Sequence, residues 1–261
     1  MKGLTREEVF DAVGWMLDKL SRPTIGNWLS GCAGYQHRDS ARRLVARMEE
    51  EGLIQPSRTG KVLQFRISDK GWARLRDSDP AHGWQRTWDG DWRAITFDVP
   101  EKRRKEREVL WRALRTRKLG FLQQSIWVWP HELEPIVRDL IQVEGLPECF
   151  FGLTTRRIWL CSDAEVVAGS WDWDEIHRRQ HAYLRQAAGR VRAAESAATV
   201  EALAQVARTE WGAYRFAFSL DPLLPRRLLP PDYAGQAVQE RHKSFRQLLA
   251  RRGAELSRTG A

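Results

Sequence analysis

This 261-residue sequence predicts an α+β protein built in three successive parts. Three observations carry that expectation. Near the N-terminus an amphipathic helix with an arginine face runs into a basic β-hairpin, across the middle strand and helix patterns alternate, and from there helical periodicity continues between proline-locked turns.

The elements follow in order. Thr5-Arg6-Glu7-Glu8 has capping-box spacing, and Val9, Val13, Met16, Leu17 and Leu20 continue the apolar stripe of a first helix. Ser21-Arg22-Pro23 ends it, and Pro23 suits the first turn of a shorter helix carrying Ile25, Trp28 and Leu29. After a turn over Gly31 to Gly34, Ala41, Leu44, Val45 and Met48 recur on one face of a third helix, while Arg38, Arg42, Arg43 and Arg47 fall off that stripe and face outward. Gly52 stands where a C-cap glycine belongs. Two β-rich runs then flank the basic turn Ser57-Arg58-Thr59-Gly60-Lys61, and a short helix follows from Asp69 to about Arg76.

That order reads as a winged helix-turn-helix over residues 1–78, with the third helix in the major groove and the wing on a neighbouring phosphate or the minor groove. The candidate DNA contacts are Arg38, Ser40, Arg42, Arg43 and Arg47 on the helix, with Arg58 and Lys61 on the wing. A solvated charged helix face, or a scaffold that binds protein, fits the same residues.

A polar stretch from Asp77 to Gly83 marks a boundary, and a middle domain spans 84–165. Its strand Trp92 to Val99 stops at Pro100. A charged helix from Glu101 to Lys118 has Val109, Leu110 and Leu114 as its apolar positions, and a second strand runs from Phe121 to Trp129. Leu133, Ile136, Val137 and Leu140 mark a second helix, Cys149 to Leu153 a third strand, and Arg157 to Cys161 a candidate further strand. The β-α-β-α-β order predicts a ferredoxin-like sandwich. The last part, 166–261, is mostly helical, with helices from Trp171 to about Ala198, from Val200 to Arg208 and from about Gly235 to Glu255. From Arg185 onward 13 Lys and Arg face 7 Asp and Glu, an excess that suits either a solvated helix face or the flanks of DNA.

A net charge of +9 and a sequence pI of about 9.9 favour a polyanionic partner. No apolar run approaches the ~20 residues that span a bilayer, so no membrane partner is expected. Cys32, Cys149 and Cys161 are scattered and read as reduced thiols of a cytoplasmic protein. The six histidines are dispersed. His177 and His181 share a helix face with no third ligand, and read as surface residues. No Ser-His-Asp set, HExxH, P-loop or GxGxxG appears, so the expectation is no enzyme, no metal and no cofactor. Thirteen tryptophans fill cores, or in part line an aromatic ligand pocket.

Three separated stretches resemble one family. Trp88-Asp89-Gly90-Asp91-Trp92-Arg93 through Phe97-Asp98-Val99-Pro100-Glu101-Lys102-Arg103-Arg104, then Leu119 to Pro130, then Asp221-Pro222-Leu223-Leu224-Pro225 with Leu228-Leu229-Pro230 and Tyr233-Ala234-Gly235, are similar to the phenylacetic acid degradation repressor (PaaX) family of transcription regulators. The resemblance implies a homodimeric repressor on an imperfect palindromic double-stranded DNA operator, released by an aryl-acyl-CoA effector whose binding residues no motif identifies. The middle domain also resembles the small ferredoxin-like nuclease of CRISPR adaptation, with Asp98 at the position of its metal-binding aspartate. That resemblance implies the alternative, a metal-dependent nuclease. The other reading of Asp98 is a turn residue ahead of the Glu101 helix.

Overall fold

The computed structural model describes residues 46, 48–59, 62–71, 73, 80–123, 126–144 and 150–259. The helices read over 5–29, and most of the helix read over 41–48, lie outside them. The described chain is α+β. In order it comprises β1 (Ile54–Thr59), β2 (Val62–Ile67), α1 (Pro80–Gln85), β3 (Trp92–Phe97), α2 (Arg104–Thr116), β4 (Gly120–Gln123), β5 (Ile126–Trp129), α3 (Glu134–Glu144) and β6 (Phe150–Thr155). Four helices follow: α4 (Asp163–Ser170), α5 (Trp173–Ser196), α6 (Val200–Phe218) and α7 (Gly235–Thr259).

These elements form two compact units. One holds 83–184 with 215–238, and the other holds 185–214, 239–261 and the residues up to His82.

In the first unit a four-stranded sheet has the order β4-β5-β3-β6, with every neighbouring pair antiparallel. The succession is β-α-β-β-α-β, which corrects the expected β-α-β-α-β. The single strand read over Phe121 to Trp129 is two strands, because Gln123 pairs directly with Ile126 and folds the run into a hairpin. A polar break inside an apolar run is a turn signal that the flanking aromatic residues conceal. The fourth strand is β6, and the stretch Arg157 to Cys161 is not a strand. There Thr155 Oγ1 accepts from the Arg157 N–H at 3.3 Å and donates to the Arg157 carbonyl at 2.9 Å, and Leu160 has φ 65°, so the chain turns.

β3 ends before Pro100, which has no N–H to continue a ladder. The next helix turns Leu110 and Leu114 inward, both with no exposed surface, and packs Trp111 tilted against Phe121 and edge-on to Trp127, with ring centres at 4.7 and 5.4 Å. Ser162 starts α4 with a complete capping box: its hydroxyl accepts from the Glu165 N–H while the Glu165 carboxylate accepts from the Ser162 N–H. α4 lies against β4 so closely that Gly120 has no room for a Cβ, which would sit 2.7 Å from the Trp171 ring.

In the second unit α5, α6 and α7 share a small apolar core of Ala194, Ala197, Leu203, Phe245, Leu248 and Leu249. α6 reaches Phe218 and α7 reaches Thr259, ten and four residues past the ends read from the sequence. Beside that core Glu210 is 2% exposed, takes the Arg190 Nε–H at 2.5 Å and lies 3.0 Å from His242 Nδ1. His242 also stacks on Tyr214 at 3.8 Å. A carboxylate enclosed this way persists only with cationic and hydrogen-bonding partners supplied by neighbouring helices.

Candidate functional site

The N-terminal candidate begins at a helix end. Gly52 has φ 67°, its N–H donates to the Glu49 carbonyl at 2.8 Å, and the Leu53 N–H donates to the Met48 carbonyl at 2.8 Å. These are the two bonds of a Schellman motif, and its hydrophobic clasp is present in Met48 and Leu53, both buried. From that cap the chain enters β1, which pairs antiparallel with β2 from Ile54↔Ile67 to Thr59↔Val62. Ser68 locks the far end: its hydroxyl donates to the Gly52 carbonyl at 2.6 Å and accepts from the Gly71 N–H at 3.0 Å. The hairpin therefore leaves the helix end at a defined position. Arg58 pairs with Leu63 near the hairpin tip. Arg38, Ser40, Arg42, Arg43, Arg47 and Lys61 lie outside the described residues.

The motif Trp88 to Arg93 folds into a hydrogen-bonded clamp. Gly90 has φ 90°, Asp89 Oδ1 accepts from the Asp91 N–H at 2.9 Å, and the Trp88 indole N–H donates to the Asp91 carbonyl at 2.9 Å. The Arg93 guanidinium grips both Asp89 oxygens at 2.7 and 2.5 Å and reaches Glu132 at 3.0 Å. That contact holds the Asp89 carboxyl well below the usual carboxylate range. Trp92, fully buried, donates to Asp163 at 2.8 Å and so ties β3 to α4. These residues anchor the sheet, and the exposed Asp89 carboxylate is held by Arg93.

The motif Asp221 to Pro225 is the other fixed point. Asp221 has no exposed surface and accepts three hydrogen bonds: from the Tyr233 hydroxyl at 2.6 Å, the Gln180 amide at 2.8 Å and the Leu223 N–H at 2.8 Å. Burial raises its carboxyl above the ordinary value. Leu223 has φ 53°, and its carbonyl accepts from Arg86 at 3.0 Å. The Trp84 indole N–H donates to the Tyr233 oxygen at 3.0 Å. Chain segments 149 residues apart in sequence thus meet at the Tyr233 hydroxyl, which in turn donates to Asp221. Sequence reading found Asp221 and Tyr233 as turn residues, but not Gln180, Trp84 or Arg86.

Other candidates sort plainly. Asp98 is exposed, and among the described residues no three His, Cys, Asp or Glu side chains converge as metal ligands. His181 is exposed, whereas His177 is half-buried against Trp173 and 3.2 Å from Asp232, so it is not the surface residue expected. Half-buried His131 is pushed down to about 4, first by desolvation and then by Arg86 and Arg93. Cys161 is a half-buried free thiol, while Cys32 and Cys149 lie outside the described residues. Most described tryptophans pack in the core or donate to fixed acceptors, but Trp159 is 83% exposed. It neighbours an open groove of about 560 Å³ lined by Arg156, Arg157, Leu160 and Cys161. Among the described residues no helix is long and apolar enough to cross a membrane.

Two family models match the chain. The PaaX protein central Cas2-like domain matches residues 85–167, and the PaaX-like protein C-terminal domain matches 171–258. The transcriptional repressor PaaX of Escherichia coli (strain K12) is 23% identical over 210 residues, covering 76% of this chain and 65% of that protein. The chain thus spans just under two thirds of that relative's length. Among solved structures, the uncharacterized protein Rv0674 from Mycobacterium tuberculosis is similar with a TM-score of 0.57 and 21% identity, over 98% of this chain and 100% of that one. That likeness concerns the fold alone.

Proposed function

The chain belongs to the PaaX family, and from that membership we propose that it is a DNA-binding transcriptional repressor of phenylacetate-type aromatic catabolic genes. The observation that carries this reading is the adjacent match of both family domains, from residue 85 to 258. The capped helix end and its locked hairpin support a winged helix-turn-helix over residues 1–78, ahead of domains at 84–165 and 166–261. In this reading a cytoplasmic homodimer grips a double-stranded operator, with Arg38, Ser40, Arg42, Arg43 and Arg47 on the reading helix and Arg58 and Lys61 on the wing. An aryl-acyl-CoA releases it by preferring the state that does not bind DNA. The effector binds within residues 84–261, because the N-terminal module is too small to hold both an operator surface and an acyl-CoA pocket.

The test is selection of bound duplexes from a random pool, followed by Arg42→Ala and Arg43→Ala on the selected site. Each substitution should cost about 1–3 kcal/mol there and less on random DNA. No enrichment from the pool would overturn the reading. Equal losses on both kinds of DNA would confine these arginines to phosphates. Aryl-acyl-CoA titrated against the full chain should weaken operator binding, and operator DNA should weaken effector binding by the same factor.

A further inference from the structure

We propose that the solvent face of α2 is a second DNA contact, one that grips the sugar-phosphate backbone of a duplex without reading its bases. The inference rests on the DNA-binding reading above but concerns a different surface. Residues 101–118, α2 with its flanking turns, carry nine Lys and Arg against three Glu, and α2 itself carries five against two.

The three glutamates are already engaged: Glu101 with Arg107 at 2.9 Å, Glu108 with Arg104 at 3.2 Å, and Glu106 with Arg103. Lys102, Lys105, Arg112 and Arg115 are exposed and have no acidic partner among the described residues. Arg112 and Arg115 border an open groove of about 430 Å³ together with Arg107, Trp111 and the Arg104-paired Glu108, and the Arg115 guanidinium lies 5.4 Å from the centre of the Trp111 ring. The helix that carries Lys105, Arg112 and Arg115, with Lys102 in the turn just ahead of it, is seated by buried Leu110 and Leu114 and by the Trp111 ring contacts.

The arrangement selects a class of partner. Thirteen helical residues extend about 20 Å. A small anion would engage one or two of these side chains, whereas a duplex presents a negative charge about every 1.7 Å along its axis. A membrane surface fits poorly, because an interfacial helix must offer its apolar side to lipid and α2 spends Leu110 and Leu114 on its own core. Reading bases fits poorly too. Bidentate recognition needs a guanidinium held in place, and Lys102, Lys105 and Arg112 are exposed with no partner holding them.

The test uses the full chain and the double variant Lys105→Gln/Arg112→Gln, whose side chains leave the core untouched and whose helix propensities are close to the originals. Binding to the selected operator and to a random duplex is measured against salt concentration, with circular dichroism as the folding check. The slope of log K against log salt should fall by about two units on both duplexes, and the ratio of the two affinities should stay constant. A folded variant with an unchanged slope overturns this proposal and leaves operator recognition standing. A changed affinity ratio overturns it as well, because α2 would then be reading sequence. Wild-type binding to phosphatidylserine vesicles, with α2-independent DNA binding, would assign the face to a membrane. Loss of all DNA binding by the wild-type chain overturns both readings.

Discussion

Tyr233→Phe removes a single oxygen from the most enclosed polar cluster of the sheet-bearing unit. That hydroxyl donates to Asp221 at 2.6 Å and accepts from the Trp84 indole at 3.0 Å, so its loss strips one donor from a carboxyl and the acceptor from an indole N–H. Asp221 has no exposed surface, so its carboxyl depends on protein donors. A hydrogen bond to such an acid contributes about 1.5–3 kcal/mol, and a stranded indole N–H costs about 1 kcal/mol more. The ring is retained, so its apolar contacts with Trp84 and Trp173 are unaffected. The expected loss is therefore about 2.5–4 kcal/mol, or a drop in Tm of roughly 7–12 °C at about 3 °C per kcal/mol. Thermal unfolding followed by tryptophan fluorescence reads this directly, since Trp84 and Trp173 lie within the cluster. A drop under about 2 °C would show that the hydroxyl is not needed to keep Asp221 satisfied, and the reasoning would fail.

The same carboxyl makes a pH prediction. Burial raises Asp221 above its ordinary value, so the folded state keeps its proton to higher pH than the unfolded chain. Its contribution to stability is then greatest below the ordinary aspartate value of 3.8 and declines as pH rises through the raised one. Urea unfolding of wild type and Asp221→Asn across that range should show a decline in the wild type that the variant lacks; parallel curves would refute the desolvation argument. Gly52→Ala should cost about 1–2 kcal/mol from backbone strain alone, because φ is 67° and no atom stands within 4 Å of the added Cβ. A neutral result in denaturant unfolding would show that this cap relaxes. Purified protein with Mg²⁺ or Mn²⁺ should leave single- and double-stranded nucleic acid intact; metal-dependent cleavage that disappears in Asp98→Asn would revive the nuclease reading.

Local pattern was enough for much of this molecule. Gly52 announced a C-cap because a helix stripe ended just before it, and Pro100 announced a strand end because it has no N–H to give. The apolar spacing of Leu110 and Leu114 placed α2, and three ordered motifs carried the family resemblance before any coordinate was known. Each of these signals is written within a few residues of the feature it specifies.

Other features needed the folded chain. Gln123 meets Ile126 across a hairpin that an unbroken aromatic-rich run disguised as one strand. The turn over Arg157 to Cys161 is built on a Thr155 hydroxyl and a positive φ at Leu160, neither of which alternation of residue types records. α6 outran its expected end because the helical pattern past Arg208 is held by partners on two other helices, Glu210 with Arg190 on α5 and Tyr214 with His242 on α7. Asp221 shows the division most sharply. By itself Asp-Pro-Leu-Leu-Pro specifies a turn, and that turn forms. Only tertiary structure carries Gln180, Tyr233 and Trp84 to the same place, so only it could show that this aspartate is fully enclosed. The partners of a buried carboxyl are fixed by distance in space, and a linear sequence encodes that distance solely through the whole fold.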